Sequence, residues 1–195
     1  MLVKRLLEGE VQANAMFEGT PLLLHAAREG QFEVVRLLIQ HQASVNERGR
    51  ARGTALHYAC QYGATDMAKD LISAGISLEA QITELDDSYS MTPFMVAVAH
   101  RRTDIVHLLL ERRAKVDTVD VFGRNALHHA CERYDGMESC NAKIWRELLA
   151  AGADVDRRDV GNQTSLMYAC RTKSTLLALI LLLWALKSMP KRTPD

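Results

Sequence analysis

The sequence lacks the features on which most metal and cofactor sites depend. Its four cysteines form no Cys-x-x-Cys pair, and no His-x-x-x-His pair is present, which argues against a zinc site. There is no Gly-x-x-x-x-Gly-Lys phosphate loop, no Gly-x-Ser-x-Gly elbow and no dinucleotide fingerprint. We therefore expect a chain that is not an enzyme and that binds neither a cofactor nor a metal.

An excess of charge is also missing. The 195 residues include 24 basic and 24 acidic side chains, so the formal net charge is zero. Binding to nucleic acid needs a basic excess that can neutralise phosphates, so nucleic acid is not an expected partner. The first ten residues lack the long apolar core of a signal peptide, and we expect a cytoplasmic protein, with the nucleus as the alternative.

What the sequence does have is a repeated phrase. The clearest copy is Gly53-Thr54-Ala55-Leu56-His57-Tyr58-Ala59-Cys60, and related phrases begin at Pro21, Thr92, Asn125 and Thr164. The third and fourth phrases lie 33 residues apart, from Thr92 to Asn125. An amphipathic run with helical spacing follows each of the first four phrases, and then comes a turn with a short polar tail. A period of this length predicts a stack of small units without a catalytic cleft.

The pattern resembles the ankyrin repeat, whose signature runs Thr-Pro-Leu-His-x-Ala-Ala, then Gly, then Val-x-x-Leu-Leu and Gly-Ala. The resemblance implies an all-α solenoid of helix-turn-helix units with β-hairpin-like fingers. Each repeat's Thr or Asn would cap its first helix. His57 and His128 would bond backbone near a finger, while Arg101 and Arg113 replace glycines and predict a less regular third repeat.

The expected domain organisation is one ankyrin repeat domain over residues 1–186, followed by a basic disordered tail over residues 187–195. A partial unit covers residues 1–19, and the repeats cover about 20–52, 53–90, 91–123, 124–162 and 163–186. Two insertions lengthen the period, one in the finger at 80–91 and one between helices near 134–141. Each is either a binding loop or tolerated variation in loop length. Cys60, Cys131 and Cys170 share one repeat position and should be buried.

Residues that the fold does not need predict a protein-binding surface. The resemblance places one residue per repeat on the concave face of the stack, and two more follow each phrase. Tyr and Arg commonly anchor protein interfaces, although these residues could also simply cover the inner helices. The predicted partner-binding residues of this face are His25, Arg28, Tyr58, Gln61, Tyr62, His100, His129, Arg133, Tyr168 and Arg171.

The fingers add a change of charge sign along this face. The basic finger carries Arg48, Arg50 and Arg52, and the acidic finger carries Asp86 and Asp87 beside Glu84. Such polarity would orient an extended partner. The predicted function is therefore a non-catalytic scaffold or adaptor that binds a protein partner through the groove and fingers.

The longest apolar run is the eleven residues from Leu176 to Leu186. A helix of this length spans about 16 Å, against a bilayer core of about 30 Å, which disfavours a membrane span. The run could be a helix that lacks its covering unit, a surface covered by a partner, or a membrane-associated tail. The alternative function is thus a repeat segment of a larger or membrane-associated protein, with this helix covered by lipid or a partner.

Overall fold

A computed structural model describes residues 12–48, 53–82, 90–132 and 138–171, together with residues 179 and 182–184. The chain divides into two compact units, Met1–Lys115 and Val116–Asp195. In both units the described elements are predominantly helices arranged as helix-turn-helix pairs, which confirms the predicted helical repeat fold.

The described part of unit 1 begins with a hairpin and continues with three helix pairs. Strands β1 (Met16–Phe17) and β2 (Thr20–Pro21) are antiparallel, with Phe17 opposite Thr20. The two turn residues between them, Glu18 and Gly19, both have positive φ, as a tight two-residue hairpin turn requires. The helix pairs are α1 (Leu22–Arg28) with α2 (Phe32–Gln40), α3 (Ala55–Tyr62) with α4 (Thr65–Ser73), and α5 (Pro93–Ala99) with α6 (Thr103–Glu111).

The three pairs of unit 1 form two layers. The first helix of each pair contacts its own second helix, and α3 lies between α1 and α5 while α4 lies between α2 and α6. The core between the layers includes Leu38, Leu56, Leu71, Phe94 and Ile105, which are almost fully buried. We call α1, α3 and α5 the first-helix layer. It is the layer that carries the predicted binding residues of unit 1.

Unit 2 contains α7 (Ala126–Glu132), α8 (Glu138–Ala150) and α9 (Ser165–Arg171). Helix α7 contacts both α8 and α9, and Trp145 on α8 is fully buried. The insertion expected as a loop near 134–141 is partly helical, because α8 starts at Glu138 and is 13 residues long whereas α2, α4 and α6 each have nine. Residues 133–137 lie outside the described part of the chain, as do residues 83–89 of the inserted finger.

The predicted helix ends are confirmed at several repeats. Thr54 forms a capping box with His57, and the Thr92 hydroxyl accepts a hydrogen bond from the Met95 amide at 3.3 Å. In unit 2 the Asn125 side chain accepts one from the His128 amide at 3.4 Å. After the second helices, Gly75 and Gly152 adopt positive φ of 83° and 86°, as a left-handed helix end requires.

The third repeat is as regular as its neighbours, so the prediction that Arg101 and Arg113 would disturb it is wrong. Both arginines adopt the left-handed conformation, with φ of 56° and 61°, and α5 and α6 have the same lengths as α1 and α2. The amide of Ala114 bonds the Leu109 carbonyl, just as Ile76 bonds Leu71 after α4. Each arginine costs about 1 kcal/mol in this conformation, which packing of the repeat offsets.

Side-chain oxygens tie several neighbouring repeats together at the bases of the fingers. The Ser44 amide donates to Asn14 Oδ1 at 2.8 Å, and the Ser77 amide donates to Asn46 Oδ1 at 2.8 Å. In unit 2 the Asp154 amide donates to Asp117 Oδ1 at 2.9 Å. These bonds satisfy backbone donors that no helix uses, so they fix the spacing of the fingers within each unit.

Candidate functional site

The concave face was predicted to carry one residue per repeat, and the structure divides these residues into two kinds. In unit 1 the side chains of His25 and Tyr58 are half-buried, whereas Val96, at the same position of the third repeat, is buried. In unit 2 only 3% of His129 and 7% of Tyr168 is exposed. The expectation that these two side chains lie open in a groove is therefore wrong. Each of them instead contacts an aspartate at the start of a finger.

His129 belongs to a buried cluster around Asp120. Asp120 Oδ2 lies 2.8 Å from Arg124 Nη2 and 3.1 Å from His129 Nε2, and the side chain of Asp120 is fully buried. Its other oxygen, Oδ1, accepts hydrogen bonds from the amides of Phe122 and Arg124 at 2.8 and 2.9 Å. The carboxylate thereby holds the finger turn and the first turn of the repeat together.

Burial alone would raise the pKa of Asp120, because it disfavours the charged form. The hydrogen bonds from His129 and from the Arg124 backbone and side chain outweigh burial and lower the pKa to about 2. The carboxylate is therefore charged at neutral pH, and it compensates the buried Arg124 guanidinium. This arrangement makes the cluster a structural feature of unit 2.

The next finger repeats this arrangement around Asp159. The Tyr168 hydroxyl donates to Asp159 Oδ2 at 2.6 Å, and the Gln163 amide donates to Oδ1 at 2.8 Å. Burial raises the pKa of Tyr168, and the neighbouring Asp159 raises it further. The Arg171 guanidinium carbon lies 4.6 Å from the centroid of the Tyr168 ring, within the range of a cation–π contact.

Sequence reasoning missed both aspartates, although a signal was present. Asp120 and Asp159 each stand five residues before the residue that begins the repeat phrase, Asn125 or Thr164, and each is followed by valine. Asparagine and aspartate at such positions commonly bond backbone amides within a turn. That spacing could have predicted that the two aspartates stabilise a turn. Their contacts with His129 and Tyr168 form only in the folded repeat, so the spacing could not predict them.

Unit 1 has a different surface at its first repeat. The Arg28 guanidinium donates to Glu29 Oε1 at 3.1 Å and to His25 Nδ1 at 3.2 Å, so it pairs within its own helix end. The Phe17 ring lies 4.7 Å from the His25 ring. A cavity of about 560 Å³ lies here, lined by Phe17, Glu18, Thr20, His25 and Arg28.

The residues that directly follow each repeat phrase serve partly to join neighbouring repeats. The Tyr62 hydroxyl donates to the Arg28 carbonyl at 2.6 Å, and Arg102 donates to the Gln61 carbonyl through Nε and Nη2 at 3.2 and 2.8 Å. Both carbonyls belong to the last turn of a first helix, where no helical partner remains. The Gln61 and Tyr62 side chains are nevertheless exposed, and His100 is half-buried. Arg133 lies outside the described residues.

His57 and His128 have the structural role that the family resemblance implies. His57 Nε2 donates to the Met91 carbonyl at 3.1 Å, and its Nδ1 accepts the Thr54 amide at 3.0 Å. His128 Nε2 likewise donates to the Gln163 carbonyl at 3.2 Å. Burial lowers the pKa of His57 to about 4, so this histidine is neutral at pH 7. The described residues contain no group of ligands that could hold a metal ion.

The prediction of three buried cysteines is confirmed for two of them. Cys60 and Cys131 are fully buried, and burial raises the pKa of each thiol. Cys170 is exposed, so the prediction for that position is wrong. On the same helix, 49% of Met167 is exposed, although Leu24, His57, Met95 and His128 at this repeat position are all buried. This difference shows that one face of α9 is uncovered by the described residues.

Only parts of the predicted charged fingers and apolar run are described. Arg48 donates to the Gln81 carbonyl at 3.2 Å and thereby joins two fingers, while Arg50, Arg52, Asp86 and Asp87 lie outside the described residues. Within the run at 176–186, the side chains of Leu179, Leu182 and Leu183 are exposed. Among the described residues, no helix has the length and apolar character that crossing a bilayer requires.

Several relatives share sequence similarity with most of this chain. It is 31% identical over 179 residues to the E3 ubiquitin-protein ligase KEG of Arabidopsis thaliana, covering 86% of this chain and 10% of that protein. It is 30% identical over 181 residues to the human ankyrin repeat and SOCS box protein 16, covering 92% and 39%. For ankyrin repeat and SOCS box protein 6 of Pongo abelii, the identity is 31% over 158 residues, covering 80% and 37%. The chain thus spans less than half of each relative.

The family profile described as ankyrin repeats (3 copies) matches the chain in four overlapping segments, residues 1–82, 52–120, 77–159 and 94–188. These segments include almost every residue, and they agree with the helix pairs, capping residues and finger contacts of both units. The chain belongs to the ankyrin repeat family.

Proposed function

We propose that this chain is a non-catalytic adaptor that binds a partner protein through the first-helix layer of unit 1, the first helices α7 and α9 of unit 2, and the fingers. Ankyrin repeats are generally protein–protein interaction modules, which supports binding as the function. The observation that carries the proposal is the set of exposed polar and aromatic side chains on these helices that the core does not need. In unit 1 these include Gln61 and Tyr62, and in unit 2 they include Arg171. We further propose that the adaptor acts in the cytoplasm.

The two units offer surfaces of different chemistry. Unit 1 presents the half-buried Tyr58 beside the exposed Gln61, one helical turn further along α3. Tyrosine supplies a large contact area with few rotatable bonds, which suits it to anchor an interface. Unit 2 presents Arg171 stacked on Tyr168. Aromatic or polar groups of a partner would suit the surface of unit 1, and a hydrogen-bond acceptor would suit the surface of unit 2.

Affinity purification with mass spectrometry tests the proposal. The binding variant is Tyr58→Ala/Gln61→Ala/Arg171→Ala, which avoids the buried His129 and Tyr168. We expect it to reduce captured partners by about tenfold or more, because truncating an interface anchor commonly costs about 2 kcal/mol. The matched control is Asp66→Ala/Lys69→Ala on the second helix α4, where the two exposed side chains pair with each other at 3.4 Å.

The control should capture the same partners as the unchanged chain, and circular dichroism should show that both variants are folded. If the binding variant keeps every captured protein, the proposed surface is wrong.

A second candidate function is favoured by the exposed apolar side chains of Met167, Leu179, Leu182 and Leu183. In that case the chain would be a repeat segment of a larger protein, with this face covered by lipid or by another part of the assembly. The same experiment separates the candidates. Capture lost in Leu179→Gln/Leu183→Gln but retained in the binding variant would support the second candidate.

A further inference from the structure

We propose that Arg171 is the anchor for a carboxylate of the bound partner, and this inference rests on the proposed protein-binding function. Arg171 is the last residue of α9, its side chain is exposed, and it stacks on the Tyr168 ring at 4.6 Å. It makes no hydrogen bond or ion pair with any other described residue. Its planar guanidinium therefore presents N–H donors that the described fold does not use.

The Tyr168 ring that Arg171 contacts is held in place by its own neighbours. Tyr168 cannot rotate freely, because its hydroxyl donates to Asp159 and its ring meets the edge of the His128 ring at 5.4 Å. Asp159 is itself fixed by the Gln163 amide at 2.8 Å. An arginine that already contacts a fixed ring loses less conformational freedom when it binds an oxyanion. The stack is therefore preorganised for binding.

The first repeat provides an internal comparison, because Arg28 occupies the same repeat position as Arg171. Arg28 pairs with Glu29 and with His25, so its donors are directed at its own helix. Arg124, a second arginine of unit 2 that lies over an aromatic ring, is buried against Asp120. Of these three arginines, Arg171 alone is both exposed and without a described carboxylate partner. That difference singles out Arg171 as the candidate anchor.

The group that Arg171 binds is inferred to be a carboxylate rather than a phosphate. The fork of a guanidinium matches the two oxygens of a carboxylate in a bidentate contact. A carboxylate is present on any partner segment that carries Asp or Glu, whereas a phosphate requires prior phosphorylation of Ser, Thr or Tyr. Val160, next to Asp159, is 75% exposed and offers an apolar contact in the same repeat. The preferred segment thus carries Asp or Glu near an aliphatic side chain.

The test starts from a random dodecapeptide library displayed on phage and selected on the full chain. Selected peptides are synthesised, and their affinities are measured by fluorescence anisotropy. We expect them to contain Asp or Glu, and we expect Asn or Gln at that position to weaken binding by about 10-fold to 100-fold. Arg171→Gln should weaken the acidic peptides to the same extent without affecting the amide peptides further. Arg146→Gln, at an exposed position on the second helix α8 of the same unit, is the matched control and should change affinity less than twofold.

Several outcomes would overturn the inference. The inference fails if acidic peptides bind Arg171→Gln as tightly as they bind the unchanged chain. If Tyr58→Ala/Gln61→Ala then abolishes the binding of these peptides, the proposed protein-binding function survives. A phosphoserine peptide that binds tenfold more tightly than its Glu counterpart would assign the site to phosphate instead. If the library yields no peptide that binds the chain, the inference also fails, and the proposed function is then judged by the affinity purification alone.

Discussion

The Asp120→Asn variant is expected to lose about 3–5 kcal/mol of unfolding free energy, because it leaves a buried cation without its counter-charge. Asn and Asp have nearly the same shape, so the change removes charge with little loss of packing. Arg124 and His129 both contact Asp120 Oδ2, and all three side chains are buried. The measurement is urea unfolding followed by tryptophan fluorescence. Both tryptophans lie in unit 2, so the signal reports on the unit that contains the change.

Two further variants make this prediction specific. Asp159→Asn, at the same place in the next finger, should lose about 1 kcal/mol, because its partners are a hydroxyl and an amide rather than a buried guanidinium. Replacing the whole cluster, as Asp120→Leu/Arg124→Met/His129→Leu, should cost less than Asp120→Asn, since no unpaired charge then remains. An Asp120→Asn variant as stable as the unchanged chain would show that the buried ion pair does not hold unit 2 together.

Acidification is expected to destabilise unit 1 through His57. The folded pKa is about 4, because burial disfavours the charged ring, whereas an unfolded histidine titrates near 6.5. The unfolded chain therefore binds a proton between these values and the folded chain does not. The stability that the neutral His57 contributes is complete above pH 6.5 and is lost as the pH falls towards 4. Between pH 7 and pH 4.5 the loss is about 2 kcal/mol.

The difference between the unchanged chain and His57→Gln isolates this effect. His57→Gln cannot titrate, so its unfolding free energy, measured by circular dichroism in urea, should fall by about 2 kcal/mol less over the same pH range. His41→Gln, at an exposed position, should keep the full pH dependence. Equal pH dependence in His57→Gln and the unchanged chain would mean that His57 is not held neutral by burial.

Local sequence signals predicted the repeat fold well. Thr54 and Asn125 form caps, Gly75 and Gly152 adopt the left-handed conformation, and His57 bonds a finger carbonyl. Each of these features follows from a residue type at a fixed offset within one repeat. The sequence did not predict that Arg113 would take a glycine's conformation without disturbing its repeat, because that depends on packing that offsets the strain.

The binding surface was harder to predict than the fold. The same repeat position is half-buried at Tyr58 and buried at His129, because its burial depends on which finger residues contact it. Asp120 bonds His129 from nine residues away, a contact that helix periodicity cannot reveal. Arg171 and Tyr168 are three residues apart, so helical spacing is consistent with their contact. Whether the Arg171 side chain is exposed depends on its neighbours in the folded chain, which the spacing does not reveal.

The most direct test of binding through the first-helix layer of unit 1 and the first helices α7 and α9 of unit 2 is hydrogen exchange of the chain with and without a partner captured by affinity purification. The account predicts slower exchange on binding in α1, α3, α5, α7 and α9 and in the described finger residues, with α2, α4 and α6 unchanged. Protection confined to α2, α4 and α6, or to residues 179–184, would contradict binding through the first-helix layer.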